Sequence, residues 1–255
     1  MARPSALALV RADLSRCDDA FERMQRAHAA SWCGPARLVR RGRGCPDPVR
    51  RPVMARPVPA PLELAGRRVL LRTLTEADYE AWVEVRTRCR DWLLPWEPRP
   101  KGAPPASEDR GSFAARCALR ERERQLGTGY GFGIFVGRRF AGEITLSSIQ
   151  RGPFQTGHIG YWIDRDLAGH GYVPEAVVVV LAFAFDTIAL HRVEISIIPR
   201  NHASLRVVEK LGLRSEGIAR KYLEIDGEWE DHAKFAITSE EWDRRRDQLI
   251  AEWVS

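Results

Sequence analysis

Apolar and polar positions along this chain fall into short periodic runs separated by glycine, proline and charged punctuation. From Val69 to Leu74 the apolar residues suit a strand, and Thr75 followed by Asp78 has the spacing of a capping box, so a helix carrying Trp82 and Val85 is expected next. A second helix is expected from Ser107 to near Gly127, with Phe113, Cys117 and Leu119 on its apolar side. Phe132, Ile134 and Val136 occupy alternate positions, Gly137-Arg138-Arg139 turns the chain, and Phe140 to Ser148 returns it as a hairpin. Gly157 to Ile163 reads as another strand. The β-branched run Val177 to Leu181 suits a buried strand on propensity alone. Pro174 fits a helix's first turn, however, Glu175 suits the positive end of a helix dipole, and the apolar run continues through Ala184, so a helix is expected. Val193, Ile195 and Ile197 alternate with Arg192, Glu194 and Ser196 as a strand with one polar face. Ala203 to Leu211 is then a short helix stopped by Gly212. Asp226-Gly227 marks a hairpin between two final strands, and Thr238 with Glu241 opens a terminal helix. The order describes a mixed α+β domain.

Composition divides the chain in two. Of its 255 residues 44% are hydrophobic, ample for a packed core, and the net charge is +6. Residues 1–57 hold twelve Arg, no Lys and five acids, whereas the remainder has 28 basic and 29 acidic residues. The basic character therefore belongs to the N-terminal segment, whose Arg and Pro content predicts a largely disordered extension before a domain at 58–255. Such a segment fits a nucleic-acid or ribosome-binding arm. It also fits a solvated tail, or an extension that is not always translated, since Met54 is a second plausible start. Cys17, Cys33 and Cys45 lack metal-ligand spacing, so no metal is expected, and Cys89 and Cys117 suit reduced thiols of a cytoplasmic protein. No apolar run reaches the roughly 18 residues of a membrane helix, so no membrane partner is expected. The oligomeric state stays open.

The chemistry points to Gly169-His170-Gly171, between the strand ending at Ile163 and the helix from Pro174. Glycines at alternate positions running into a helix start aim several amide N–H groups at one spot beside a positive dipole end, which favours a phosphate or pyrophosphate. The dinucleotide fingerprint would need a third glycine where Pro174 stands, and no Gly-Lys-Ser/Thr of a Walker loop lies nearby.

Downstream comes Asn201-His202-Ala203-Ser204. Together with Val69-Leu70-Leu71-Arg72, Leu94-Pro95-Trp96-Glu97-Pro98, Ala141-Gly142-Glu143-Ile144, Ile159-Gly160-Tyr161-Trp162, Glu175-Ala176 and Asp226-Gly227-Glu228-Trp229-Glu230-Asp231-His232, it resembles the GNAT N-acetyltransferases. The likeness covers residues 66–240 and is to the RimJ and RimL branch, which acetylates ribosomal-protein N-termini. It implies an α+β fold with a mixed, mostly antiparallel sheet flanked by helices and splayed at two central strands, Gly157 to Ile163 and Arg192 to Ile198. It also implies acetyl-CoA as cosubstrate. The pyrophosphate would sit on Gly169, His170, Gly171, Tyr172 and Val173, the thioester carbonyl near Trp162, Ile163 and Asp164, and the pantetheine against Asn201, with Ser204 giving a proton to the sulfur. The family's usual Gln or Arg before the first loop glycine is Ala168 here, and its small residue two beyond the second is Val173.

An arriving ammonium must lose a proton before it attacks. His158, on the strand beside the implied acetyl site, has the most suitable intrinsic pKa, and Glu143 and Glu224 are alternatives. RimL-like enzymes carry a Glu on the strand before the last hairpin where this chain has Leu223, with Glu224 on the opposite face. Asn201 and Ser204 also suit a helix cap. For the acceptor, Trp92 and Trp96 beside Asp91 and Glu97, with Glu224 and the acidic hairpin Glu224 to Asp231, would attract a basic ribosomal-protein N-terminus. A small amine such as an aminoglycoside or polyamine is the second acceptor class, and a non-catalytic acyl-CoA-binding protein is the reading outside catalysis.

Overall fold

The computed structural model describes residues 62–104 and 106–255. The Arg- and Pro-rich segment, its expected boundary at residue 57 and its three cysteines lie outside the described residues.

These residues form an eight-stranded sheet in the order β1-β2-β3-β4-β5-β6-β8-β7. The strands are β1 (Glu63–Ala65), β2 (Val69–Arg72), β3 (Tyr130–Val136), β4 (Arg139–Gln150), β5 (Thr156–Ile163), β6 (Arg192–Ile197), β7 (Arg214–Ile225) and β8 (Glu228–Thr238). Every neighbouring pair is antiparallel except β5 and β6. The five longer helices of the described residues are α1 (Tyr79–Arg88), α2 (Arg110–Leu126), α3 (Tyr172–Ala182), α4 (His202–Lys210) and α5 (Ser239–Trp253).

Local signals set most boundaries. Thr75 and Asp78 form the expected capping box ahead of α1, and Thr238 and Glu241 form the one that opens α5. The second helix starts three residues later than Ser107, because the Asp109 side chain accepts the Ser112 amide at 2.8 Å and takes the cap. Leu119 is 56% exposed and plays no part in the core, so Phe113 is the buried apolar anchor of α2.

The helices cover both faces of the sheet, and each face has its own core. One holds α3, α4 and α5 with Leu71, Ile144, Ile159, Val193 and Trp242; the other packs Trp82, Val85 and Phe113 of α1 and α2 against Phe135 and Phe140. Residues Val173 to Leu181 of α3 are all buried, because the helix has the sheet on one side and α4 and α5 on the other. Each buried valine there stabilises the fold by about 1.5 kcal/mol or more, which outweighs the few tenths that β-branching costs a helix.

Candidate active site

The site begins where the sheet comes apart. β5 and β6 pair in parallel only over Thr156–His158 and Arg192–Glu194, although both strands continue beyond. Past His158 they diverge and open a cleft of about 450 Å3. Ile159 and Ile163 sit in the α3 core and Trp162 packs with the opposite one. Strand alternation therefore sends Tyr161 towards α3 and α4, and His158 towards α1 and α2. The cleft passes through the sheet, with Tyr161, Asn201 and Ser204 on the first side and His158, Ser147 and Tyr222 on the second.

Backbone parity corrects one expectation. The Asp164 amide donates to the Ala141 carbonyl on β4 at 2.6 Å, and the β4–β5 register pairs Glu143 with Trp162 and Thr145 with Gly160. Amides alternate sides along a strand, so Trp162 also turns to β4 while Tyr161 and Ile163 face the opening. Neither Trp162 nor Asp164 can offer its amide to a thioester there; Tyr161 and Ile163 can. The Asp164 side chain is fully buried and pairs with Arg88 at 2.8 Å and Arg139 at 2.7 Å. Although burial works against its charge, hydrogen bonds from the Asp166 amide, Cys89 and Arg88 hold its carboxyl below the usual range. It anchors the loop that follows.

That loop delivers the glycine segment to the start of α3. Gly169 and Gly171 have φ of +84° and +86°, a left-handed conformation that any other residue would adopt at a cost. The amides of residues 169–173 donate to no carbonyl among the described residues, and Pro174 has none to donate. Five donors are thus presented at a helix N-terminus. The His170 ring is held by the Ala168 carbonyl at 3.0 Å and stacks on Tyr172. Glu175 does more than complement the helix dipole: its buried carboxylate accepts from the Arg68 amide at 2.5 Å, Arg68 Nε at 2.8 Å and the Val69 amide at 3.0 Å. Arg68 also donates through Nη1 to the His170 carbonyl at 3.0 Å and lies over the Tyr172 ring. The sequence reading missed it. Its guanidinium sits beside a loop whose own position 168 is alanine.

On the α4 side, Asn201 Oδ1 accepts the Ser204 amide at 3.1 Å, so the capping role of Asn201 is real. Its side-chain NH2 remains available to the cleft. Burial pushes the Tyr161 phenol above its ordinary range, and its hydroxyl donates to the Ser204 carbonyl at 3.4 Å.

Three candidate side chains lie elsewhere. Glu143 is buried outside the cleft, where its carboxylate accepts from Trp82 at 2.7 Å and Arg116 at 3.0 Å and ties β4 to α1 and α2. Trp92 packs with the α1 core and donates to the Ile163 carbonyl at 3.3 Å. Glu224 accepts the Lys101 amide at 2.8 Å, while Leu223 takes the position lining the cleft. Trp96 does line it, with Arg200 over its ring.

The loop carrying Trp96 and the β7–β8 hairpin meet, through a bridge between Pro98 and Ile225 and a bond from the Arg99 amide to the Glu224 carbonyl. Three of their carboxylates have close arginine partners. Glu97 pairs with Arg86, Asp226 with Arg99 and Glu230 with Arg200. His158 approaches Glu194 only to 3.8 Å, because Lys234 and Arg192 hold that carboxylate at 2.8 and 2.9 Å. Burial, aided by Lys234 and Arg192 and opposed by Glu194, holds His158 below the ordinary imidazole range. Among the described residues no His, Cys, Asp and Glu cluster is arranged to hold a metal, and no helix is long and apolar enough to cross a membrane.

Comparison with known proteins bears on this geometry. The sequence profile of the acetyltransferase (GNAT) domain matches residues 68–214. A probable N-acetyltransferase of Bacillus subtilis, YjcK, is 47% identical over 110 residues, a match spanning 42% of this chain and 61% of that protein. The ribosomal protein uS5-alanine N-acetyltransferase of Escherichia coli is 28% identical over 190 residues, or 71% of this chain and 93% of its own length. Among solved structures, Mycobacterium smegmatis RimJ in complex with CoA-disulfide superposes with a TM-score of 0.71 at 30% identity, covering 76% of this chain and 95% of that one.

Proposed function

The chain belongs to the GNAT acetyltransferase family, and from that premise we propose that it transfers acetyl from acetyl-CoA to the α-amine of a protein N-terminus, with ribosomal proteins beginning in Ala or Ser as the substrate class. The observation that carries the reading is the cleft through the splayed sheet, lined by β5, which leads on into a loop whose five amides have no carbonyl partner among the described residues. The amides of residues 169–173 hold the pyrophosphate, and Asn201 NH2 and the inward-facing amides of Tyr161 and Ile163 hold the pantetheine and the thioester carbonyl. The Ser204 hydroxyl gives a proton to the departing thiolate. Ordering donor and amine in one cleft supplies much of the rate, so no covalent enzyme intermediate is needed.

The mouth favours a singly charged amine. An aminoglycoside or polyamine carries several cations and needs unpaired carboxylates, yet Glu97, Asp226 and Glu230 already have arginine partners. Trp96, Tyr222 and Leu223 instead offer a mostly apolar wall suited to a small first residue. The similarity to the uS5-alanine enzyme supports the same acceptor class and is consistent with a cytoplasmic location.

Mass spectrometry of peptides incubated with acetyl-CoA tests the proposal. Peptides with a free N-terminal Ala or Ser gain one acetyl group at the α-amine, and N-terminally blocked copies gain none. With Glu97, Asp226 and Glu230 paired, the rate is expected to change little between low and high salt. Efficient turnover of spermidine or an aminoglycoside with no peptide acetylation overturns the assignment, and tight acetyl-CoA binding with no turnover of any amine points to a sensor.

A further inference from the structure

An α-amine has a pKa of about 8, so near neutrality most of it reaches the cleft as an ammonium that cannot attack. Two imidazoles line the cleft, His158 and His232. Only one has its proton placed. His232 Nδ1 lies 3.1 Å from the Glu230 carbonyl, which can only accept, so Nδ1 carries the hydrogen and Nε2 keeps its lone pair. Tyr222 from β7 packs against the ring in a T-shaped contact at 5.5 Å and fixes its plane. The residue is 3% exposed, and Nε2 has no hydrogen-bond partner among the described residues. The nearest carboxylate to His158 Nδ1, Glu194, is 3.8 Å away, beyond hydrogen-bond reach, so nothing comparable orients that ring.

Resting on the acetyl-transfer reading above, we propose that His232 Nε2 is the catalytic base that takes the proton from the acceptor ammonium. The freed amine attacks the thioester carbon, the C–S bond breaks, and the second amine proton reaches the thiolate through Ser204. The proton on His232 is released to water when product leaves, so the sum is ammonium plus thioester giving amide, thiol and one proton.

The surroundings keep this imidazole neutral. The charged groups around it are Lys234, Glu230 and Asp231 of β8, Glu194 of β6 and, across the cleft, His158 of β5, with the Tyr222 hydroxyl on β7. Lys234 is itself engaged by Glu194 at 2.8 Å, Ser196 at 2.9 Å and Tyr222 at 3.2 Å. Burial pushes His232 below the ordinary imidazole range, aided by Lys234, and this outweighs the Glu230 carbonyl bond and the charges of Glu230 and Asp231, which favour protonation.

His232→Asn separates the roles, since its amide can still donate to the Glu230 carbonyl but nothing replaces Nε2. The variant is expected to melt cooperatively and bind acetyl-CoA as wild type does. Its kcat/KM near pH 7 is expected to fall by about a hundredfold to ten-thousandfold, with the deficit shrinking as pH rises through the amine's own ionisation. His158→Gln keeps the imidazole-like limb of the pH profile. Long-range proton–nitrogen NMR, which needs no acceptor, is expected to show Nδ1 protonated and Nε2 bare. Wild-type kcat/KM with an unchanged limb in His232→Asn, or a ring protonated at Nε2, overturns the proposal. Running a peptide and spermidine in parallel keeps the two readings apart: wild-type preference for spermidine refutes the protein acceptor, while the effect of the variant on spermidine still decides the role of His232.

Discussion

Replacing Arg68 with Met tests how the cofactor loop is held. Methionine keeps most of the apolar stem and removes the guanidinium, which breaks the 2.8 Å pair with Glu175, the 3.0 Å bond to the His170 carbonyl and the contact over Tyr172. Glu175 stays fully buried, with only the backbone amides of residues 68 and 69 to satisfy it. Breaking a buried pair costs about 3–5 kcal/mol, and because Arg68 is 35% exposed solvent screening reduces this to about 2–3 kcal/mol. For a domain of this size that lowers Tm by roughly 5–10 °C. Adding Glu175→Gln removes the orphaned charge, so the double variant is expected to recover about 1–2 kcal/mol, a coupling that only contacting residues show.

The same change reaches function, because it leaves an unbalanced carboxylate behind the helix N-terminus that is to face a pyrophosphate. Acetyl-CoA affinity is expected to fall about tenfold to a hundredfold by calorimetry, as suits the loss of one or two charge-assisted contacts. Acetyl-pantetheine, which lacks the pyrophosphate, provides the control: its kcat/KM is expected to change by less than about threefold, since uniform binding is lost only where a contact existed. Unchanged Tm and acetyl-CoA affinity in Arg68→Met, or equal losses with both donors, would refute the reasoning.

A β-carbon at Gly169 meets no protein atom within 4 Å, so Gly169→Ala is expected to cost about 1–2 kcal/mol of backbone strain and no more. Acetyl-CoA affinity should drop as well, because the methyl group enters the space the loop amides face; unchanged affinity in the folded variant would remove the loop from the site. Asn201→Asp keeps the oxygen that caps α4 and loses the NH2 group, so stability is retained while acetyl-CoA binding weakens; Asn201→Ala loses both, at about 1 kcal/mol for the cap. Ser204→Ala is expected to lower kcat by about tenfold to a thousandfold with little effect on acetyl-CoA affinity, and wild-type turnover would leave the serine no part in proton transfer.

What the sequence made legible was local. Capping boxes, the Asp226-Gly227 turn and the glycine loop depend on residues within a few positions of one another, and all are present in the structure. The helix at Val177 to Leu181 lay at the limit of this reasoning, because its β-branched residues are helical for the sake of what packs on both sides of them. The site candidates that moved share one cause. Trp162 on β5 and Asp164 just past its end have the wrong parity, and only the register against β4 reveals which amides face the opening. Glu143, Trp92 and Glu224 have suitable chemistry, but each is committed to a partner at least 27 residues away in the chain.

Arg68 and His232 show the converse. Arg68 is separated from Glu175 by 107 residues, and the pair is a feature of the loop only after β2 has been laid beside the start of α3. His232 stands in a stretch whose resemblance to the family was plain, yet its chemistry depends on a carbonyl two residues back and an aromatic ring on the neighbouring strand. The acidic hairpin gives the same lesson in electrostatics. Counting carboxylates predicted a mouth that draws in basic chains, whereas arginines from α1, from the loop after Trp96 and from the turn after β6 pair with three of those carboxylates and weaken that field. On the proposed reading, selectivity rests on the fit of one small residue against Trp96 and Leu223 and on removal of one proton.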